Sequence, residues 1–243
     1  MRKLLLSCGL SVFIISLIVT MPANLIQTLV DTRDFNLQKV SGSIWNGRAS
    51  AGIINDTYFQ DIKWQIKPIN LFLAKLTINV SARPIEGSFS SQINIHLNNT
   101  VKIEDIFASI PIQNTHPTIS KTGIRGQVTM DIKNLSFKDY SPVDVSGKII
   151  IKNLYLPELS PGVIGDIEAN IKSIDNGITA DFRDLKGVLQ LSGSLSLINN
   201  KTYILTGDVS ARRGATPSID QQLQMLGRPD SNGQRQFRLE GEL

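Results

Sequence analysis

The sequence predicts an all-β protein: a single N-terminal transmembrane helix followed by an extended, curved antiparallel β-sheet domain with one or two short helices. Three observations carry that prediction. Charged residues are only 19% of the chain, below the roughly 25% usual in soluble proteins, while isoleucine, a β-branched strand former, is abundant. The run 4–21 holds no charge. From Lys39 onward, apolar and polar residues alternate with period two, as in sheets that bury one face and wet the other.

The N-terminal element is a candidate membrane anchor. Eighteen uncharged residues follow Met1-Arg2-Lys3 and end at Pro22. As a helix they rise about 27 Å, close to the ~30 Å hydrocarbon core of a bilayer. A cleaved signal peptide fits less well, because its apolar region is shorter and its cleavage site is lined by small residues. Here the corresponding site reads Thr20-Met21-Pro22-Ala23. Arg2 and Lys3 precede the span, whereas Asp31, Arg33 and Asp34 mix both signs beyond it. The positive-inside rule then keeps residues 1–3 in the cytoplasm and sends 22–243 across the membrane. No second run of spanning length follows, so the expected topology is single-pass, with the lipid bilayer as a partner of the helix.

The strands come next. Ile62, Trp64 and Ile66 alternate with Lys63, Gln65 and Lys67; Phe89, Ser91, Ile93, Ile95 and Leu97 with Gln92, Asn94, His96 and Asn98. The same pattern recurs at 128–133, 189–197 and 203–210. Turn signals divide these runs. Asn46-Gly47 reads as a type I′ hairpin turn, and Asn176-Gly177, Asn199-Asn200 and Asn232-Gly233 mark further reversals. A short turn is expected at 69–75 after Pro68, and a helix at 218–226 with Ser218 as N-cap and Gly227 and Pro229 as its stop. Segment 103–109 fits either helix or strand. The loops around residue 115 and at 157–162 mark a possible subdivision near 115. Glycines 87, 126, 147, 193 and 207 sit in or beside strands at irregular spacing, a sign of bulges or close backbone approach rather than a repeat.

Little in the chain points to chemistry. Cys8 is the only cysteine, so neither an intramolecular disulfide nor a cysteine metal site is expected. Of the two histidines, His96 falls on a polar strand face and His116 in a Pro-flanked loop. The acidic pairs Glu104-Asp105 and Asp181/Asp184 lack metal-ligand spacing, and no nucleophile elbow, zinc-helix or phosphate-loop motif occurs. The expectation is a non-enzyme with no cofactor, no metal and no catalytic residues. A net charge of +4 falls short of the basic excess of nucleic-acid binders, so no nucleic-acid partner is expected.

One segment carries a recognisable signature. Val40-Ser41-Gly42-Ser43-Ile44-Trp45-Asn46-Gly47-Arg48-Ala49 resembles the V-x-G-[ST]-[LIV]-W-x-G-x-A segment of the type II secretion system protein N family, also called general secretion pathway protein N. Further features agree in order: the apolar run ending at Pro22, the W-x-[LIV]-x-P-x-x-L segment from Trp64 through Pro68 to Leu71, and Leu226-Gly227-Arg228-Pro229-Asp230 before a last strand. The resemblance implies an accessory inner-membrane component of a Gram-negative machine that exports folded proteins from the periplasm across the outer membrane. Its partners would be other inner-membrane and periplasmic subunits. It marks Trp45, Asn46, Gly47, Arg48, Trp64, Pro68, Gly227, Pro229 and Asp230 as motif residues and candidate partner contacts. For Trp45 and Trp64, core packing weighs above partner binding. The W-x-[LIV]-x-P segment is also similar to AsmA-like envelope proteins, which implies an alternative: a hydrophobic groove in the sheet that takes a lipid ligand.

Overall fold

The computed structural model describes residues 9–10, 13, 16–17, 19–26, 35–54, 57–115, 117–139, 141–198 and 202–242. Among the described residues one antiparallel sheet takes in every strand. Its members are β1 (Phe35–Gln38), β2 (Ser41–Gly42), β3 (Asn46–Ile54), β4 (Thr57–Ile66), β5 (Lys75–Pro84), β6 (Ser88–His96) and β7 (Thr100–Pro111), then β8 (Arg125–Lys138), β9 (Ser141–Tyr155), β10 (Val163–Ile174), β11 (Gly177–Gly187), β12 (Leu189–Ile198), β13 (Thr202–Ala211) and β14 (Arg235–Glu242). From β3 to β14 each strand pairs with the next in sequence, while β1 and β2 both pair with β3. β7 and β8, on either side of the loop at 115, pair along their length in this same sheet. From β1 onward the described helical pieces are 3₁₀ turns at Pro68–Leu73 and Ile112–Asn114, with two short α-helices, α1 (Pro117–Lys121) and α2 (Pro217–Gln224).

Alternation explains why the strands form, and register shows what they build. Residues directly opposite one another in antiparallel strands share a face. One such line runs Ala82–Phe89–Ala108–Met130–Ile149–Ala169–Phe182–Gly193–Gly207–Phe237, from β5 to β14. A parallel line runs Ile106–Ile132–Gly147–Ile171–Ala180–Leu195–Leu205–Leu239. The opposite face is polar, as in Asp131–Lys148–Asn170–Asp181–Ser194–Thr206–Arg238. The expected one-sided strands are present, and 103–109 resolves as part of β7.

The apolar face is covered at its two ends. Near β3 and β4, Ala23 and Ile26 pack on Leu37, Ala49, Ile62 and Trp64. At the other end, Ile219 and Leu223 of α2 pack with Ile164, Leu189 and Val209. The cap of α2 is Thr216 rather than Ser218: Pro217 takes the first helical position, where its missing N–H is no loss.

The first expected hairpin also needs correction. Asn46-Gly47 is not a hairpin turn. The reversal lies at Ser43–Asn46, where the Ser43 N–H donates to the Asn46 carbonyl at 3.0 Å and the Ser43 Oγ accepts the Asn46 N–H at 3.1 Å. Both residues instead begin β3, opposite Gln65 and Trp64. His96, read as lying on a polar strand face, is half-buried at the end of β6 opposite Lys75. His116, Asn199 and Asn200 lie outside the described residues, and so does most of the candidate anchor 4–21. Among the described residues no helix is long and apolar enough to cross a membrane. Those of 9–19 that are described are helical, with Leu10, Phe13, Leu17 and Val19 exposed.

Candidate functional site

The first motif folds into a corner that joins the N-terminal segment to the sheet. Pro22 bridges Ser43, the Ile44 N–H donates to the Met21 carbonyl at 2.9 Å, and the Ala23 N–H donates to the Gly42 carbonyl at 3.1 Å. From the next strand the Trp64 indole N–H donates to the Ile44 carbonyl at 3.0 Å. The indole lies across Gly47, where a Cβ would overlap its six-membered ring. Gly47 is therefore glycine for close approach, not for a turn. Trp45 occupies the turn itself, and its carbonyl accepts the Ile66 N–H at 2.7 Å. Arg48 ties β3 to β2 within this corner, its Nε donating to the Ser41 Oγ at 3.1 Å.

Pro68 starts the 3₁₀ turn that follows β4. Gly227, Pro229 and Asp230 sit at the opposite edge of the sheet, between α2 and β14. Gly227 takes φ +103°, and its carbonyl accepts Arg235 Nε at 3.1 Å. Asp230 Oδ1 accepts the N–H groups of Asn232 and Gln234, each at 2.8 Å, which sets the turn that launches β14. The two motif groups therefore do not meet. They organise the two ends of one sheet.

Register also assembles polar clusters that no local pattern announces. Asn70 Nδ2 donates to Thr77 Oγ1 at 2.8 Å, Thr77 Oγ1 to Asn94 Oδ1 at 2.8 Å, and Asn94 Nδ2 to Glu104 Oε2 at 2.6 Å. Thr77 and Asn94 are fully buried beneath the 3₁₀ turn, and every link is satisfied, so the network rigidifies the turn. Across β9, β10 and β11, Glu168 binds Lys148 Nζ and Arg183 Nη2, each at 3.0 Å. The Lys148 hydrogen bond holds the Glu168 carboxyl below its ordinary value of 4.5; it outweighs the opposing effect of desolvation, and Arg183 adds to it. Although the carboxylate is only 8% exposed, it lies on the open face with both cations reaching solvent.

A pH dependence follows. A lowered folded-state value contributes stability that is fully present above the ordinary glutamate range and is lost as pH falls through that lowered value. Glu168→Gln should therefore unfold at lower urea than the parent at neutral pH. The gap should close progressively below the ordinary value of 4.5, as read from urea midpoints across an acid series. A gap independent of pH would assign the effect to packing instead.

What the arrangement offers is surfaces. Among the described residues no group of histidine, cysteine, aspartate or glutamate side chains could hold a metal ion. Among the described residues three surfaces stand out: the apolar face, the outer edge of β14, which pairs there with no described strand, and the edge formed by β1 and β2. Between the two covered ends, side chains of the apolar lines are mostly half-buried, and Ile95 and Leu195 stand 39% and 40% exposed.

The sequence profile of type II secretion system (T2SS) protein N matches residues 34–238, most of the chain. The chain belongs to the type II secretion system protein N family. This protein N relative is thus a component of a type II secretion system, and other subunits of that system are its implied partners. Neither the curated proteins nor the solved structures give a match. In this family member the signature segment at 40–49 is the corner described above, and the Leu-Gly-x-Pro-Asp segment is the launch of the last strand.

Proposed function

We propose that this protein is an accessory, non-catalytic scaffold of the type II secretion system in the inner membrane. Residues 4–21 anchor it, 1–3 face the cytoplasm, and the sheet stands in the periplasm. The observation that carries the reading is the family match over 34–238 to a sheet whose last strand is paired on one side only. A free edge presents unpaired N–H and C=O groups, and a partner strand added there gains affinity from main-chain hydrogen bonds. The helical residues Leu10, Phe13, Leu17 and Val19, exposed on the described part of 4–21, support the anchor, since apolar side chains all along a helix suit lipid.

Deletion of the gene should leave exported proteins in the periplasm. A photo-crosslinking residue in place of Arg238 or Glu240 on β14 should capture other secretion subunits in the cell. Normal secretion without the gene, with no subunit captured while the machine is active, would remove this reading.

A second reading is favoured by one feature, the continuous apolar lines across β5–β14. On that face the protein would guide a lipid, as the AsmA-like resemblance implies. A photo-crosslinking residue at Met130 or Ile149 should then capture phospholipid in cells, detected by mass. Protein consistently free of lipid adducts at both positions would count against it.

A further inference from the structure

The most exposed apolar cluster on the sheet domain lies in the 3₁₀ turn Pro68–Leu73. Ile69, Leu71, Phe72 and Leu73 are 68%, 46%, 87% and 75% exposed, and Leu97 in the neighbouring hairpin loop is 85% exposed. Lys75 at the start of β5 pairs with His96 at the end of β6, which sets Leu97 beside this turn. Exposure of this kind on a flexible loop would mean little. Here the turn is pinned from below: Asn70 is tied through Thr77 and Asn94 to Glu104, the Lys67 N–H donates to the Thr77 carbonyl at 3.0 Å, and Ala74 closes the turn at φ 54°. One polar side chain points into the protein and four large apolar ones point out.

Position identifies what the cluster faces. The Met21 carbonyl, at the end of the candidate anchor, binds the Ile44 N–H; the Trp45 carbonyl binds the Ile66 N–H; and the turn begins two residues later. One strand therefore lies between the helix end and the start of the turn, two sheet spacings or roughly 10 Å, and both are on the same end of the sheet. If 4–21 spans a membrane, that end of the sheet is the one held against the bilayer surface. The charges agree: Lys67 and Lys75 flank the cluster, and no acidic residue lies between them. Apolar tips rimmed by lysine suit the boundary of headgroups and acyl chains.

We propose that Ile69, Leu71, Phe72 and Leu73, with Leu97, insert into the outer leaflet of the membrane beside the anchor, as a second membrane contact that fixes the tilt of the sheet. This rests on the anchored reading above. A helix and an insertion turn together hold a long sheet in one orientation, where a helix alone would let it swing.

The test uses the full chain with Cys8→Ser, reconstituted into vesicles of phosphatidylethanolamine and phosphatidylglycerol. An environment-sensitive fluorophore is placed at Phe72→Cys, and at Glu158→Cys in a loop at the far end of the sheet as control. Carbonate extraction is run in parallel as an independent measure of anchoring. The proposal expects a blue-shifted emission at 72 and at least twofold stronger quenching by spin-labelled lipid at 72 than at 158. Resistance to carbonate with equal quenching at both positions overturns the insertion turn and leaves the anchor standing. Selective quenching at 72 with loss to carbonate supports the turn and removes the anchor. Neither signal overturns both. A blue shift at 72 without lipid quenching overturns the lipid assignment in favour of a protein surface.

Discussion

Replacing Trp64 with alanine should cost about 3–5 kcal/mol, the range for deleting a buried aromatic side chain, and the loss should stay local. The indole is 7% exposed, closes over Gly47 and donates to the Ile44 carbonyl. Its removal opens a cavity among Leu37, Ala49 and Ile62 and leaves that carbonyl without its donor. Strands here pack almost wholly on their immediate neighbours, and the two apolar clusters lie at opposite ends of the sheet. Such a quasi-one-dimensional array divides its stability into local and nearest-neighbour parts. Hydrogen exchange should accordingly quicken across β3–β5 while β11–β13 keep their protection. The same variant should loosen Met21 and Pro22 from the sheet, because the corner that binds them is built on Ile44 and Trp45. Uniform loss of protection along the whole sheet would show that the array unfolds as one unit.

The strands themselves were legible because burial on one face writes period two directly into the sequence. Ile62/Trp64/Ile66 and Leu189 to Leu197 needed no knowledge of their partners. The misreading at Asn46-Gly47 has a definite source. Asn-Gly is the usual type I′ dipeptide, but Ser43 supplied the turn with its own hydroxyl, and Gly47 was required by the tryptophan opposite it. What decided the residue was seventeen positions further along the chain, at Trp64. The polar clusters were hidden in the same way. Glu168, Lys148 and Arg183 come together only through register, and the buried Thr77–Asn94 link shows no local signal. The turn at Ile69–Leu73 was visible as a segment after Pro68, but its outward apolar side chains were not, since strand alternation says nothing of a 3₁₀ turn. The irregular glycine spacing belongs here too. Gly47, Gly193, Gly207 and Gly241 each lie directly opposite an aromatic residue, respectively Trp64, Phe182, Phe237 and Tyr203. The pattern is cross-strand, so no period along the chain displays it.

Gly207→Val should therefore destabilise the sheet, although valine is the better strand former by up to ~1 kcal/mol. A Cβ at Gly207 would stand 2.7 Å from Phe237 Cζ and 2.5 Å from the Ser192 carbonyl oxygen, and 3.1 Å from the Gly193 Cα. The carbonyl and the facing glycine are backbone and yield little, so the ring must leave. Overpacking of this kind costs about 1–3 kcal/mol, which reverses the gain from propensity. Phe237 holds β14 against β13 and packs on the cluster under α2, so its displacement should free the last strand first. Exchange at 235–242 should rise before any change in β11 or β12. If β14 is the edge that recruits a partner, crosslinks from that strand should fall in step. Adding Phe237→Ala separates the causes: with the ring gone, the penalty of Gly207→Val should shrink to what the Ser192 carbonyl imposes, so the double variant should cost less than the sum of the two single variants. A Gly207→Val chain with a higher urea midpoint than the parent would refute the account of these glycines as seats for aromatic rings.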